Sequence, residues 1–213
     1  MSFFFPKVYP ILDAGVIPQA GRAEFLKRLG GELAGAGVTL LEYRNKAGSD
    51  ADILADAAIL RAVLPPGTVK LILDDRVEMV ERAGFDGVHV DAGDATPGEA
   101  RRLLGPSRIV GTFGGSEGLL PGILKEPTDY LSIGPIFPTT TKETTKTPIG
   151  AAGVRRLREQ AGPNVVLVAV GGVTLETAPE ILAAGANVVG VSAAIFRTNN
   201  PAAEFRRWAA LLE

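Results

Sequence analysis

The stretch Ile181 to Phe196, ILAAGANVVGVSAAIF, decides the architecture. It runs sixteen residues without a charge. A membrane-spanning helix needs about 20 consecutive apolar residues, and Gly185 and Asn187 interrupt this run midway. The segment therefore reads as a helix end followed by a buried strand, Val188–Ser192. Ala184-Gly185-Ala186 marks the junction, because a glycine just past a helix takes the left-handed conformation and turns the chain sharply. Ala36-Gly37-Val38 and Ala83-Gly84-Phe85 repeat that signature, so one helix–turn–strand unit recurs.

Aliphatic runs recur upstream at Val8–Leu12, Val38–Tyr43, Val69–Leu73, Gly87–Val90, Arg108–Thr112, Tyr130–Phe137 and Val165–Val170. Segments with helical spacing lie between them: Ala23–Ala36, Ala51–Val63, Arg76–Ala83, Pro97–Leu104, Gly150–Gln160 and Leu175–Ala184, with Glu204–Leu211 closing the chain. Eight strands alternate with helices at a mean period of roughly 26 residues, the small end of βα units in an eight-stranded barrel. The strands are continuous apolar runs, as parallel strands covered on both faces require. The expectation is one (β/α)8 TIM barrel domain over residues 1–213. A doubly wound open sheet is the competing architecture.

At 213 residues, 46% apolar and with 26 glycines, the chain can bury a full core. A formal charge of −2 without a basic stripe argues against nucleic acid as a partner. No cysteine is present, which removes disulfides, thiolate metal sites and a cysteine nucleophile, and suits a reducing cytoplasm. Met1–Pro6 has no basic region and is too short for a secretory signal. A cytoplasmic protein without a membrane partner is expected; its oligomeric state stays open.

In such a barrel the active site forms at the C-terminal strand ends. Those positions hold Arg44 and Lys46 after strand 2, Asp74 and Asp75 after strand 3, and Asp91 and Asp94 after strand 4. Within DYLSIGPIFPTTTKETTKTPIG, Asp129–Gly150, strand 6 empties into a loop with six threonines and two lysines that includes Thr139, Thr140, Thr141 and Lys142. Gly171-Gly172 ends strand 7, and Ser192-Ala193 ends strand 8. Hydroxyls, amides and ammonium groups suit a phosphorylated small molecule. Asp75 and Asp94, on neighbouring strand ends, suit one shared magnesium ion, and each also suits the cap of a following helix, two roles that do not exclude each other. His89, the one histidine, reads as a hydrogen-bonded core residue. No serine stands in a nucleophile elbow, and no lysine lies within a strand as a Schiff base requires.

Five pieces in order resemble the thiamine-phosphate synthase family and its thiazole tautomerase branch: Leu41–Lys46 (LEYRNK), Leu71–Arg76 (LILDDR), Ala83–Asp94 (AGFDGVHVDAGD), Asp129–Lys142 with Gly150, and Val168–Val173 (VAVGGV). The resemblance runs from about Tyr9 to Ile195. It implies the barrel, and a Mg2+-dependent transfer joining hydroxymethylpyrimidine diphosphate to thiazole phosphate with release of pyrophosphate. It further implies Asp75 and Asp94 as metal ligands, and Arg44, Lys46 and Lys142 as the catalytic cations on the diphosphate. Glu42, Tyr43, Asn45 and Asp74 join them in the substrate site. Thr139, Thr140, Thr141, Gly171, Gly172, Ser192 and Ala193 are implied around the thiazole phosphate.

Departures from the family pattern are Glu42 for Gln, Asp74 for Asn, Ala92 for Gln, and Phe113 and Ala193 for serines. Glu42 and Asp74 place carboxyls near a polyanion, where each like-charge contact costs on the order of several kcal/mol. The tautomerase branch expects a histidine at about Gly115. A tautomerase-like isomerase and a precursor-binding barrel without catalysis are the two alternatives.

Overall fold

The computed structural model describes residues 4–115, 118–139 and 146–213. Thr140, Thr141 and Lys142 lie outside the described residues. Eight parallel strands close into a barrel in chain order: β1 Val8–Asp13, β2 Leu40–Arg44, β3 Lys70–Asp74, β4 Gly87–Val90, β5 Ile109–Gly115, β6 Tyr130–Ile133, β7 Leu167–Val170 and β8 Val188–Val191. Closure is direct, with Val8 opposite Val189 and Pro10 opposite Val191, which rules out the open sheet. The helices are α1 Arg22–Gly35, α2 Asp50–Val63, α3 Pro97–Leu104, α4 Leu120–Ile123, α5 Gly150–Ala161, α6 Ala178–Ala183, α7 Ala193–Phe196 and α8 Pro201–Leu212.

Alternate strand residues face opposite ways, and this divides the core in two. Leu41, Tyr43, Leu71, Leu73, Val88 and Val90 face outward under the helices. Tyr9, Leu40, Ile72, Ile109, Tyr130, Val168 and Val188 form a separate plug inside the barrel. That plug closes the lower end and leaves the upper end for a cavity.

Two sequence expectations need correction. β6 ends at Ile133 instead of Phe137, because Gly134 (φ 151) packs where a Cβ would stand 2.2 Å from Val170 O. The helix expected over Arg76–Ala83 is one 3-10 turn, Val77–Met79. Val77, Met79 and Val80 are all buried, a spacing that a 3.6-residue helix cannot turn to one side. The one-turn helices α4 and α7 were not anticipated; Pro121 and Gly122 weaken the helical signal within α4.

The repeated unit is also visible in its fastening. Arg61, Arg101 and Arg158, each on the helix before a strand, hydrogen bond to Asp86, Asp129 and Asn187 at the start of a strand. Those three acceptors in turn take the backbone N–H of Leu71, Val110 and Leu167 on the preceding strand. Arg158 also satisfies the carbonyls of Gly162, Val165 and Gly185 at 2.6, 2.9 and 2.8 Å. Arg158→Ala is expected to cost about 2 kcal/mol of stability in urea unfolding, because it strips charged donors from several acceptors at once.

Candidate active site

A cavity of about 980 Å³ occupies the upper barrel. Its lining follows the period of two along each strand: Tyr9, Ile11 and Asp13; Glu42 and Arg44; His89 and Asp91; Tyr130 and Ser132; Val168 and Val170; Gly190 and Ser192. The C-terminal member of each set stands nearest the mouth, where the loops begin.

The arc from β2 to β4 carries charge. Arg44 Nε lies 2.9 Å from Asp74 Oδ2, and Arg44 Nη1 also donates to Asp13. Lys46 Nζ sits 2.6 Å from Asp75 Oδ2, 3.1 Å from Asp74 Oδ1 and 3.9 Å from Asp94 Oδ2. Burial of its ammonium opposes the charge, yet the hydrogen bond to Asp75 and the field of Asp74 and Asp75 outweigh that and raise its pKa. Lys46 reaches Asp74 Oδ1 at ion-pair distance but off hydrogen-bond alignment, so this buried oxygen has no hydrogen-bond donor.

Neither acid of the expected metal pair caps a helix. Thr96 caps α3 in a capping box with Glu99, and Asp94 Oδ2 instead accepts the Asp91 N–H at 2.8 Å. Arg76, not Asp75, occupies the residue before the 3-10 turn. Asp75 has φ 77, the one non-glycine with positive φ among the described residues, and its N–H donates to His89 O at 2.8 Å. Backbone strain of this kind persists where the surroundings enforce it, and it clusters at functional sites.

The floor is a buried polar chain. His89 Nδ1 is 3.0 Å from the Tyr130 hydroxyl, which is 3.2 Å from the Tyr9 hydroxyl. His89 Nε2 lies 3.4 Å from Ser132 Oγ and 3.7 Å from Asp91 Oδ1. Burial pushes the Glu42 carboxyl up to about 7, with Asp74 adding to the rise and His89 offsetting part of it. Burial likewise raises Asp74, against His89, Lys46 and Arg44. For His89 burial acts downward, but Asp91, Glu42 and Asp74 together outweigh it and the imidazole pKa rises. His89 is therefore a hydrogen-bonded buried residue, as expected, and also part of the cavity lining.

The arc from β7 to β8 is backbone and hydroxyl. Gly171 (φ 88) and Gly172 (φ 70) turn the chain out of β7, and a Cβ on Gly172 would meet Pro138 O at 2.5 Å. Ser192 Oγ is buried without a hydrogen-bond partner and borders the same cavity. An unpaired buried hydroxyl costs about 1–3 kcal/mol, which a bound acceptor would recover.

Of the residues expected to form the site, Glu42, Arg44, Asp74, Thr139, Gly171, Gly172, Ser192 and Ala193 line the cavity. Lys46, Asp75 and Asp94 are not among the lining residues; Lys46 links Asp75 and Asp94 to Asp74, which is. Tyr43 and Asn45 do not reach it, which corrects their expected substrate contact. Tyr43 faces outward and donates to Asp56 of α2, itself held by Arg22, while Asn45 bonds Tyr43 and Gly48. Tyr9, Asp13, Tyr130, Ser132 and Lys146 were not anticipated. The period of two along β1 and β6 is the signal that would have found the first four, whereas Lys146 belongs to the lysine- and threonine-bearing loop between β6 and α5.

Fold and site together define a (β/α)8 barrel with an ionisable cavity at the carboxyl ends of its strands, where enzymes of this fold keep their active sites. Thiamine monophosphate synthase is the family description matching residues 8–195. A thiamine-phosphate synthase of Koribacter versatilis is 40% identical over 188 residues, covering 88% of each chain. Another from Chloroflexus aurantiacus is 32% identical over 206 residues, 97% of this chain and 92% of that one. In fold, the chain is similar to thiamine phosphate pyrophosphorylase from Pyrococcus furiosus, with a TM-score of 0.80 at 24% identity over 97% and 95% of the two chains. This chain belongs to the thiamine monophosphate synthase family. The activity named for these relatives is that of a transferase in thiamine biosynthesis.

Proposed function

We propose that this protein joins hydroxymethylpyrimidine diphosphate to thiazole phosphate and releases pyrophosphate, with Mg2+ as cofactor. One observation carries the reading: a single cavity has two anion-accepting arcs facing each other. Arg44 and Lys46 among carboxylates occupy one arc; the Gly171-Gly172 turn and the unpaired Ser192 hydroxyl occupy the other. Two phosphorylated substrates need two such arcs.

Asp75 and Asp94 suit Mg2+, which takes one or two protein carboxylates and completes its shell with water and phosphate oxygens. The Lys46 ammonium already stands within reach of both carboxylates, as a cation shared by them would. Bound Mg2+ would neutralise charge on the leaving diphosphate. Arg44 and Lys46 bind the diphosphate, with Lys142 assigned to it by the family resemblance. The amides of Gly171, Gly172 and Ala193, the Ser192 hydroxyl and the Thr139–Thr141 loop hold the thiazole phosphate. Preorganised donors of this kind stabilise charge without reorganising during the reaction. The raised pKa of Glu42, about 7, and the pairing of Asp74 with Arg44 and Lys46 lessen the repulsion that two extra carboxyls would bring.

The tautomerase reading wants a side chain for proton transfer after β5, and Gly115 offers none there. No helix among the described residues is long and apolar enough to cross a membrane. We place the activity in the cytoplasm, where a chain without cysteine needs no oxidising environment.

The test is an assay with both precursors. Thiamine phosphate and pyrophosphate should appear in equal amounts with Mg2+, cease with chelator, and return on adding Mg2+. Product formation in chelator would remove the metal from the reaction. Heat of binding without product at high protein concentration would make the chain a binding barrel.

A further inference from the structure

We infer that Phe113 is a catalytic residue of this chain, whose ring face receives the positive charge that develops on the pyrimidine methylene during transfer. The inference rests on the synthase reading above and adds to it a group that makes no hydrogen bond to either phosphate.

Charge balance of the reaction sets the requirement. The C–O bond between methylene and diphosphate breaks, and its electron pair leaves with the diphosphate oxygen. The lone pair of the neutral thiazole nitrogen forms the new C–N bond, with no proton transferred. The organic product therefore carries a positive charge that neither heterocycle bore before. That charge builds on the methylene and the nitrogen as the bonds exchange, beyond the reach of groups gripping the phosphates. A group that meets it only in the transition state and product raises turnover rather than binding.

The topology places Phe113 on that path. In the closed order β1 to β8, β5 separates the cationic and acidic arc on β2–β4 from the glycine and hydroxyl arc on β7–β8, with β6 beyond it. Phe113 is the inward residue near the top of β5, opposite Ser132 in register, and it lines the cavity. The transferred carbon starts on one arc and ends on the other. The second divider, β1, offers an aliphatic Ile11 and an Asp13 already bonded to Arg44.

The structure also shows that this ring takes a cation from the cavity side. Lys146 Nζ lies over the Phe113 ring, 3.7 Å from its centroid, and Lys146 lines the same cavity. A cation over an aromatic face gains about 0.5–1 kcal/mol when exposed and about 2 or more when water is excluded. Serine, the residue expected here from the family pattern, has no such face.

The experiment replaces Phe113 with mono-, di- and trifluorophenylalanine, which drain the negative ring face with little change of volume. Single-turnover rates are read with both precursors and Mg2+. The rate is expected to fall stepwise with fluorination, reaching a loss of about tenfold, while the KM of each precursor stays within about twofold. Phe113→Leu, which keeps apolar bulk and removes the ring, should lose at least as much. Melting temperatures across the series report folding separately. Equal rates across the fluorinated series, with product still forming, would overturn the role of the ring. Absence of product in the unmodified protein would instead overturn the synthase reading, and this inference with it.

Discussion

Lys46→Ala is expected to lower kcat/KM by about three orders of magnitude, the upper range for removing one preorganised charged donor from an active site. The reason lies in what Lys46 holds together. Its ammonium is within 4 Å of three carboxylates contributed by β3, the residue following it, and the loop after β4. Without it, Asp74 keeps Arg44 as its one ion-pair partner among the described residues, and its buried Oδ1 has neither donor nor cation. The diphosphate would then enter an arc of excess negative charge, so binding and departure of the leaving group both suffer. Kinetics at saturating Mg2+, with circular dichroism as a control for folding, provide the measurement. A loss smaller than tenfold would mean that Lys46 serves only to neutralise its acidic neighbours.

Glu42→Gln should raise stability at pH 8 by an amount on the order of 3 kcal/mol and leave it unchanged near pH 4. In the folded protein burial lifts this carboxyl from its ordinary 4.5 to about 7. Below 4.5 both folded and unfolded chains hold the proton, and glutamine changes little. Between 4.5 and 7 the unfolded chain ionises first, so each rise in pH favours unfolding. Above 7 both states are ionised, and the loss stays constant. Glutamine abolishes the difference, so the two proteins should diverge across that window in urea titrations. Parallel curves from pH 4 to 8 would show that Glu42 ionises normally.

Gly87–Val90 and Pro97–Leu104 have the same bounds in the sequence reading and in the structure, and all eight strands occur in the expected order. Their signals are local: an apolar run, helical spacing of apolar residues, a glycine past a helix. The elements that differ depend on neighbours distant in sequence. β6 stops at Ile133 because of Val170 on the next strand, and the turn at Val77–Met79 is shaped by burial of three side chains at once.

The site divides in the same way. That Arg44, Lys46, Asp75, Asp94, Gly171 and Ser192 lie at the carboxyl ends of strands followed from the order of the apolar runs. Tyr43 was misplaced because LEYRNK, read as a motif, conceals that its odd and even members face opposite sides of β2. Tyr9 and Tyr130 are 121 residues apart, and only barrel closure brings their hydroxyls together.

By itself, then, the chain's order of apolar runs and turn residues determined eight βα units and which polar groups lie at their carboxyl ends, since propensity and capping act within a few residues. Tertiary structure alone decided which of those groups meet. Pairing register and the closing contact between β1 and β8 choose the inward face of every strand, and with it the cluster around Lys46, the raised pKa of Glu42 and the ring of Phe113 beneath a cation.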